Sequence, residues 1–321
     1  MIIGTTLLAS LSGIDSFSGF ADFTEAHIAE LIPYFDFPNG APSHDTYQRF
    51  WEAVNPAAFY AAFLACTQSL ATVIGHLLNI DGKTSKHSGH AKALHIVGAW
   101  CHANQLVLAQ EKVASKSNEI TAIPLLLKLL ALNDRLITID AMGGQRAICE
   151  QIIVPGGDYL IAFKGNQGML HKDVTACFAN TLKNSLISTE NDKGHGRIEK
   201  RIAYSFADIA WRQQEYKWPG LNSIGMVATT IAHARQLNHA ARAHWSIANQ
   251  LHWRLAVVFH EDGAGVRHDN AAENRNIWRK WALNALQQVA RKPSQSTQSL
   301  MRKSAMSCKH LQGVVKKIFH A

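Results

Sequence analysis

Two aspartates in this chain share one local pattern. Asp81 closes the apolar run HLLNID and Asp140 closes RLITID, and each is followed by a glycine-containing turn. If the strands that carry them are neighbours, the two carboxylates meet at one sheet edge. Paired hard oxygen donors on rigid elements are how proteins hold Mg2+ while leaving positions for water and phosphate. Aspartates at strand ends are also common turn starters, and spacing alone leaves both readings open. Other chemistries have thinner support. The five cysteines, Cys66, Cys101, Cys149, Cys177 and Cys308, are odd in number and contain no CxxC pair, so they read as reduced thiols. His87 and His90 have no second His/Cys pair at ligand spacing, which disfavours structural zinc. A GxxxxGK loop is absent, which disfavours an ATP-driven motor.

The acids need strands to carry them, and the pattern supplies these. Residues 76–81, 93–101, 105–114, 135–140 and 158–166 read as strands, with GKTSKHSGHAK as a polar loop after the first. Helical spacing runs over 120–131, despite Pro124, and over 143–153. The order β-β-β-α-β-α-β predicts a mixed sheet with helices on its faces. Before it, residues 1–75 read as helical: Thr24 and Ser43 are candidate N-caps, and Asn55-Pro56 opens an Ala-rich helix. Residues 167–240 are polar and turn-rich and read as an insertion with some strands. Helical spacing returns at about 239–256 and 272–290.

The 321 residues are 47% apolar and 17% charged, which excludes a mainly disordered chain. The opening MIIGTTLLASLSG has no basic start and only 13 residues, too few to cross a bilayer, so it reads as the start of a buried helix in a soluble, intracellular protein. The net charge of +8 is a C-terminal property. Residues 272–321 hold ten Lys/Arg and one acid: Arg275, Arg279, Lys280, Arg291, Lys292, Arg302, Lys303, Lys309, Lys316 and Lys317 against Glu273. Such a segment suits DNA phosphates, or equally a solvated tail.

The motifs IDGKT (80–84), EKVASKSNEITAIPLLL (111–127), TIDAMGGQ (138–145), DYLIAFKGNQGML (158–170), GHGRIEKR (194–201), WPGLNSIGMV (218–227) and HWSIANQLHW (244–253) occur in that order. Together they resemble the ISAs1 family of bacterial insertion-sequence transposases and the H-repeat-associated proteins. The resemblance implies an α/β, ribonuclease-H-like mixed sheet with flanking helices, a β-rich insertion and an N-terminal helical region. It implies three divisions: a helical region at 1–75, a catalytic domain at 76–290, and a basic tail at 291–321. Asp81 and Asp140 become the first two acids of a DDE site binding Mg2+ (or Mn2+), which would activate water and then a 3′-hydroxyl. Double-stranded DNA is the implied partner, as element inverted repeats and target, with no membrane role. A homodimer on DNA and a cytoplasmic, nucleoid-associated location also follow. Lys83, Lys164, Asn166, Gln167, Arg197 and His244 are the expected DNA contacts, although Lys83 reads equally well as a surface lysine.

This sequence departs from the family pattern where the third acid belongs. The family motif His-Trp-x-Ile-Glu-Asn appears as His244-Trp245-Ser246-Ile247-Ala248-Asn249, and Ala256 stands where Asp is usual. On an α-helix His244, Ala248 and His252 form one stripe, which has lost its carboxylate. Rescue by Glu261, Asp262 or Glu273 is disfavoured. Trp245 and Trp253 read as core residues packing that helix on the sheet. A shortened stretch before the helix and a start inside what the family has as an early helix add to the expectation of a degenerate transposase. The alternative is a catalytically silent DNA-binding protein derived from one.

Overall fold

The computed structural model describes residues 1–70, 75–85, 93–114, 118–165, 168–181, 186–194, 197–207, 209, 217–229, 247–263, 270–288, 295–307 and 309–313. Its strands are β1 (Leu77–Ser85), β2 (Leu94–Cys101), β3 (Leu106–Lys112), β4 (Leu136–Ile139), β5 (Asp158–Ile161), β6 (Leu186–Gly194), β7 (Arg197–Phe206) and β8 (Ile224–Thr229). They form a mixed sheet of order β3-β2-β1-β4-β5 and an antiparallel sheet of order β6-β7-β8. By compactness the chain divides into two units. The first comprises Met1–Ile74, Gly82–Ser115 and Asn249–Ala321; the second comprises Gly75–Asp81 and Lys116–Ala248.

The first unit is organised by helix α9 (Ala271–Gln288), whose residues are buried without a break from Asn274 to Leu286. A helix covered on all sides must place its polar groups as carefully as its apolar ones. Trp278 packs 4.6 Å from Trp51 and 5.7 Å from Phe20, centroid to centroid, and Trp281 lies 5.6 Å from Phe59. These partners come from α2 (Phe17–Ala26), α4 (His44–Ala53) and α5 (Pro56–Leu70). Helix α1 (Ile2–Leu11) is buried from Gly4 to Leu11, as its apolar run requires, and two of its buried hydroxyls find partners on α4. Tyr47 Oη lies 2.6 Å from the hydroxyls of both Thr5 and Thr24, and Trp51 Nε1 donates to Thr6 Oγ1 at 3.0 Å.

The sheet edge in this unit is also covered. Strand β3 ends the five-strand order, so its outward peptide groups have no strand partner. The Asn284 side chain of α9 takes that place: its Oδ1 accepts from Val107 N and its Nδ2 donates to Val107 O, both at 2.8 Å. Tyr60 Oη does the same for Gln110, accepting from its N–H and donating to its carbonyl at 2.7 Å each. A bulge between Ala99 and Trp100 shifts the β2–β3 register between these two points.

In the second unit β1, β4 and β5 run parallel, with Ile80 beside Ile139 and Ile139 beside Ile161. Leu77, Leu136 and Leu160 pack together at the start of these strands. Helices α6 (Glu119–Leu127) and α7 (Arg146–Ile153) connect them, and α8 (Gly168–Thr181) follows β5. Gly156 adopts φ +89 in the turn between α7 and β5, where a side chain would meet Asn133 Oδ1 at 2.6 Å.

Several elements differ from the sequence reading. Thr24 does not cap a helix: Ser16 caps α2 by accepting from Gly19 N, while Thr24 is buried inside it, donating to Phe20 O. The expected caps Ser43 and Asn55 do accept, from Thr46 N and Ala58 N. The polar loop expected from Gly82 begins later, because β1 continues to Ser85. Helix α7 starts at Arg146, leaving Gly143 and Gly144 to the preceding turn, and β5 stops at Ile161. The stretch Gly168–Thr181, read as turn-rich, is helical. Among the described residues, 247–252 and 254–258 are π-helical, with Phe259 N bonded to Arg254 O, an i→i+5 pattern. The C-terminal basic residues are partly internal: Arg275, Arg279 and Lys280 are buried. Arg275 Nε donates to Asp15 Oδ1 at 3.1 Å, and Arg279 pairs with the same carboxylate.

Removing that shared carboxylate strands two buried guanidinium groups. Asp15→Ala is expected to lower the stability of the full chain by about 3 kcal/mol or more, read as a shift in the urea unfolding midpoint.

Candidate active site on two parallel strands

The register of β1 and β4 determines where the two aspartates stand. Their last pairing is Ile80 beside Ile139, and Asp81 and Asp140 are the next residue on each. Neighbouring strands are about 4.8 Å apart, so the acids occupy adjoining positions at one end of the parallel pair. Two residues earlier, Asn79 and Thr138 are paired in the same register and both fully buried, with Asn79 Nδ2 donating to Thr138 Oγ1 at 2.7 Å. This polar contact in an otherwise aliphatic stretch discriminates against a shifted alignment.

Asp140 is held by the turn that follows it. Its Oδ1 accepts from Met142 N and Gly143 N, both at 3.0 Å. The two bonds fall on one oxygen, so Oδ2 is the donor a metal would use. The turn requires glycine at 143: an added Cβ would lie 2.4 Å from Ile139 Cγ2 and 2.7 Å from Ile123 Cδ1. Two half-buried carboxylates on adjoining strands, one residue past the last parallel pair, fit a hard divalent cation, which takes one or two protein carboxylates and completes its shell with water or phosphate. Among the described residues no His, Cys, Asp or Glu cluster of three or more is assembled for a metal. Ala248, half-buried in the π-helical segment Ile247–His252, contributes a methyl group and no donor.

The other expected site residues have varied surroundings. Lys83 is engaged inside the first unit: its Nζ is 2.8 Å from Glu261 Oε2 and 3.2 Å from Asp262 Oδ1. Lys164 is exposed, three residues past the end of β5. Arg197 opens β7, opposite Gly194 in the register. Asn166, Gln167 and His244 lie outside the described residues, as does Trp245. Trp253, expected in the core, is 54% exposed, because the wider π-helical turn does not keep it on the packed side.

Around Lys83 the first unit carries a polar network that sequence spacing could not reveal. Glu261, 2% exposed, also accepts from Asn276 Nδ2 at 2.6 Å, and Lys280 Nζ donates to Asn276 Oδ1 and Gln110 Oε1. Burial pushes the Lys280 ammonium down to about 8, with Glu261 opposing and Lys83 reinforcing the shift. Burial likewise pushes His252 down to about 3, helped by the positive charges of Lys280 and Lys83. No helix of the described residues is long and apolar enough to cross a membrane.

Comparison with known proteins places this geometry in context. Residues 72–285 match the family model described as Transposase DDE domain, and residues 1–66 match the DDE_Tnp_1-associated model. A protein encoded in the dhlA 3′ region of Xanthobacter autotrophicus is 40% identical over 245 residues, covering 74% of this chain and 81% of its own. The H repeat-associated protein YhhI of Escherichia coli (strain K12) is 35% identical over 321 residues, covering 89% of this chain and 84% of its own. The solved piggyBac transposase synaptic complex with hairpin DNA has a TM-score of 0.50 at 10% identity, covering 100% of this chain and 73% of that one. At that identity the likeness concerns fold alone: a ribonuclease-H-like mixed sheet with flanking helices.

Two outcomes test this geometry. Gly143→Ala is expected to lower stability by about 1–3 kcal/mol through overpacking, seen in chemical denaturation, and to weaken Mn2+ binding measured by electron paramagnetic resonance. Because His252 is held near 3 when folded but titrates near 6.5 when unfolded, the unfolded chain binds the extra proton between those values. Stability should therefore fall on acidification through that window. His252→Gln should flatten this part of the profile, measured as the urea midpoint against pH.

Proposed function

The chain belongs to the family of transposases with a DDE domain, and from that premise we propose that it acts on the inverted-repeat ends of an ISAs1-type insertion sequence. In this reading it descends from a magnesium-dependent strand-nicking and strand-transfer enzyme and has lost one catalytic acid. The observation that carries the proposal is the pairing of Ile80 with Ile139, each one residue before Asp81 and Asp140. Asp81 and Asp140 would hold Mg2+ or Mn2+, and such an ion, when bound, supplies Lewis-acid polarisation of a phosphodiester and an activated water. The turn at Met142 and Gly143 aims the Asp140 carboxylate with two N–H donors. Lys164 and Arg197 are assigned to DNA phosphates, as are Asn166, Gln167 and His244. Lys83 can serve DNA only by leaving Glu261 and Asp262.

Ala248 stands where the family motif carries glutamate, so the metal site keeps fewer acids than a complete one and turnover is expected to be poor. That residue favours a second reading: a DNA-binding protein without catalysis. Its DNA contacts would come from the N-terminal helical region, 1–75, and the tail, 291–321, around a 76–290 domain. The two family matches, to 1–66 and 72–285, support that division. Of the basic residues toward the C-terminus, Arg275, Arg279 and Lys280 in α9 are buried and unavailable for this, while Arg302, Lys303 and Lys309 of the tail are exposed. A dimer on DNA and a nucleoid-associated location belong to the same proposal.

One assay separates the readings. In supercoiled-plasmid nicking with Mg2+ or Mn2+, the protein as it stands is expected to show little turnover. Ala248→Glu should raise nicking by about two orders of magnitude or more, and adding Asp140→Asn should abolish the gain. Robust nicking by the unaltered chain would remove the degenerate-enzyme reading. An inert Ala248→Glu with preserved binding to the ends would favour the binding protein.

A further inference from the structure

The second unit contains a pocket that the chemistry above does not use. Its volume is about 520 Å3, and it is lined by the Gly144–Ala147 turn, Met169, Leu170 and Trp218. It begins one residue past Gly143, whose N–H holds the Asp140 carboxylate. A cavity of this size accommodates a small ligand or a single nucleotide. Its wall is chemically two-sided. The Arg146 guanidinium is exposed at the start of α7, while Met169, at the start of α8, is 69% exposed. A thioether left in solvent beside a cavity suits an adaptable contact surface better than a core.

The back of the pocket is fixed in place. Trp218 is 8% exposed and packs edge-on against Phe163 at 5.9 Å. Next to it, Pro219 O accepts from Tyr159 Oη of β5 at 2.7 Å. These contacts fasten the Trp218 loop to the end of β5. They also bring two exposed cations to that region, Lys217 beside Trp218 and Lys164 beside Phe163. The apolar wall is therefore rigid and carries positive groups at its borders, which matches a phosphate backbone with a base or sugar between phosphates.

We propose that this pocket is a nucleotide subsite for the DNA strand adjoining the phosphate presented to Asp81 and Asp140. Arg146 and Lys217 contact backbone phosphates, and Met169 with Trp218 cradles the intervening sugar and base. The contact is largely independent of sequence, since it uses charge and apolar faces. The inference rests on the DNA-transposase reading and deepens it by naming residues outside the acid pair.

The test measures binding without catalysis. Fluorescence anisotropy of a fluorescein-labelled, mixed-sequence duplex bearing a nick is followed across salt concentrations for the full chain. Arg146→Ala should reduce the slope of log affinity against log salt by about one. Met169→Asp should weaken binding about tenfold or more. Both side chains are exposed, so the unfolding midpoint should not move. Lys128→Ala, an exposed cation just past the end of α6 with no assigned DNA contact, should leave affinity unchanged. If the unaltered chain binds the duplex and both pocket variants match it in affinity and slope, the subsite is overturned while the DNA reading stands. A Lys128→Ala loss equal to that of Arg146→Ala would also overturn it, by showing only diffuse charge. A change of oligomeric state in Met169→Asp with DNA affinity intact would make the pocket a contact between copies and overturn it too. If the unaltered chain binds no DNA even at low salt, the underlying transposase reading fails first.

Discussion

The alignment of two neighbouring parallel strands is the constraint on which the rest depends. Side chains alternate along a strand, so a slip of one residue would turn every group to the opposite face. Asp81 and Asp140 are 59 positions apart in the chain, as are Asn79 and Thr138. The acids can act together only because β1 and β4 meet in one register. The Asn79–Thr138 hydrogen bond matters for this reason: aliphatic neighbours such as Ile80 and Ile139 tolerate translation, whereas a buried amide facing a hydroxyl does not. The turn at Gly143 then converts strand alignment into carboxylate orientation.

The first unit solves a different problem, that of enclosing charge. Helix α9 carries Arg275, Arg279 and Lys280 in its buried stretch: Asp15, far away in sequence, answers both arginines, while Lys280 bonds distant Gln110 and, one turn away, Asn276, which in turn bonds Glu261. Buried ions of this kind add little net stability against apolar replacements but are severe when half removed. Their effect is to specify one arrangement of α9 against its surroundings. They also remove from the surface part of the positive charge that the sequence places near its C-terminus.

Much of the sheet was legible in the sequence, because short apolar runs ending in Asp81 and Asp140 and bounded by Gly and Pro leave few alternatives. The N-cap at Ser43 and the Asn55-Pro56 helix start were equally readable. The missed features depend on tertiary contacts. Thr24 looks like a cap until Phe20 and Tyr47 surround it. Gly82–Ser85 looks like a loop because pairing, and not composition, extends β1. The α8 segment has weak amphipathicity, and the π-helical turns after Ile247 follow a period that i, i+4 reasoning does not detect. The basic C-terminal stretch showed its charge but not its partners, since Asp15 lies 260 residues from Arg275. The adjoining placement of Asp81 and Asp140 was readable from local pattern; the Trp218 pocket was not, because Gly144, Met169 and Trp218 have no shared spacing.

The Asn284 amide has a consequence beyond its two hydrogen bonds. By imitating the peptide of an absent strand at Val107, with Tyr60 doing similar service at Gln110, it gives the sheet a finished border. An unfinished border is a template on which another polypeptide can lay itself, copy after copy. One carboxamide on α9 thus helps decide whether these molecules stay separate or grow into fibres.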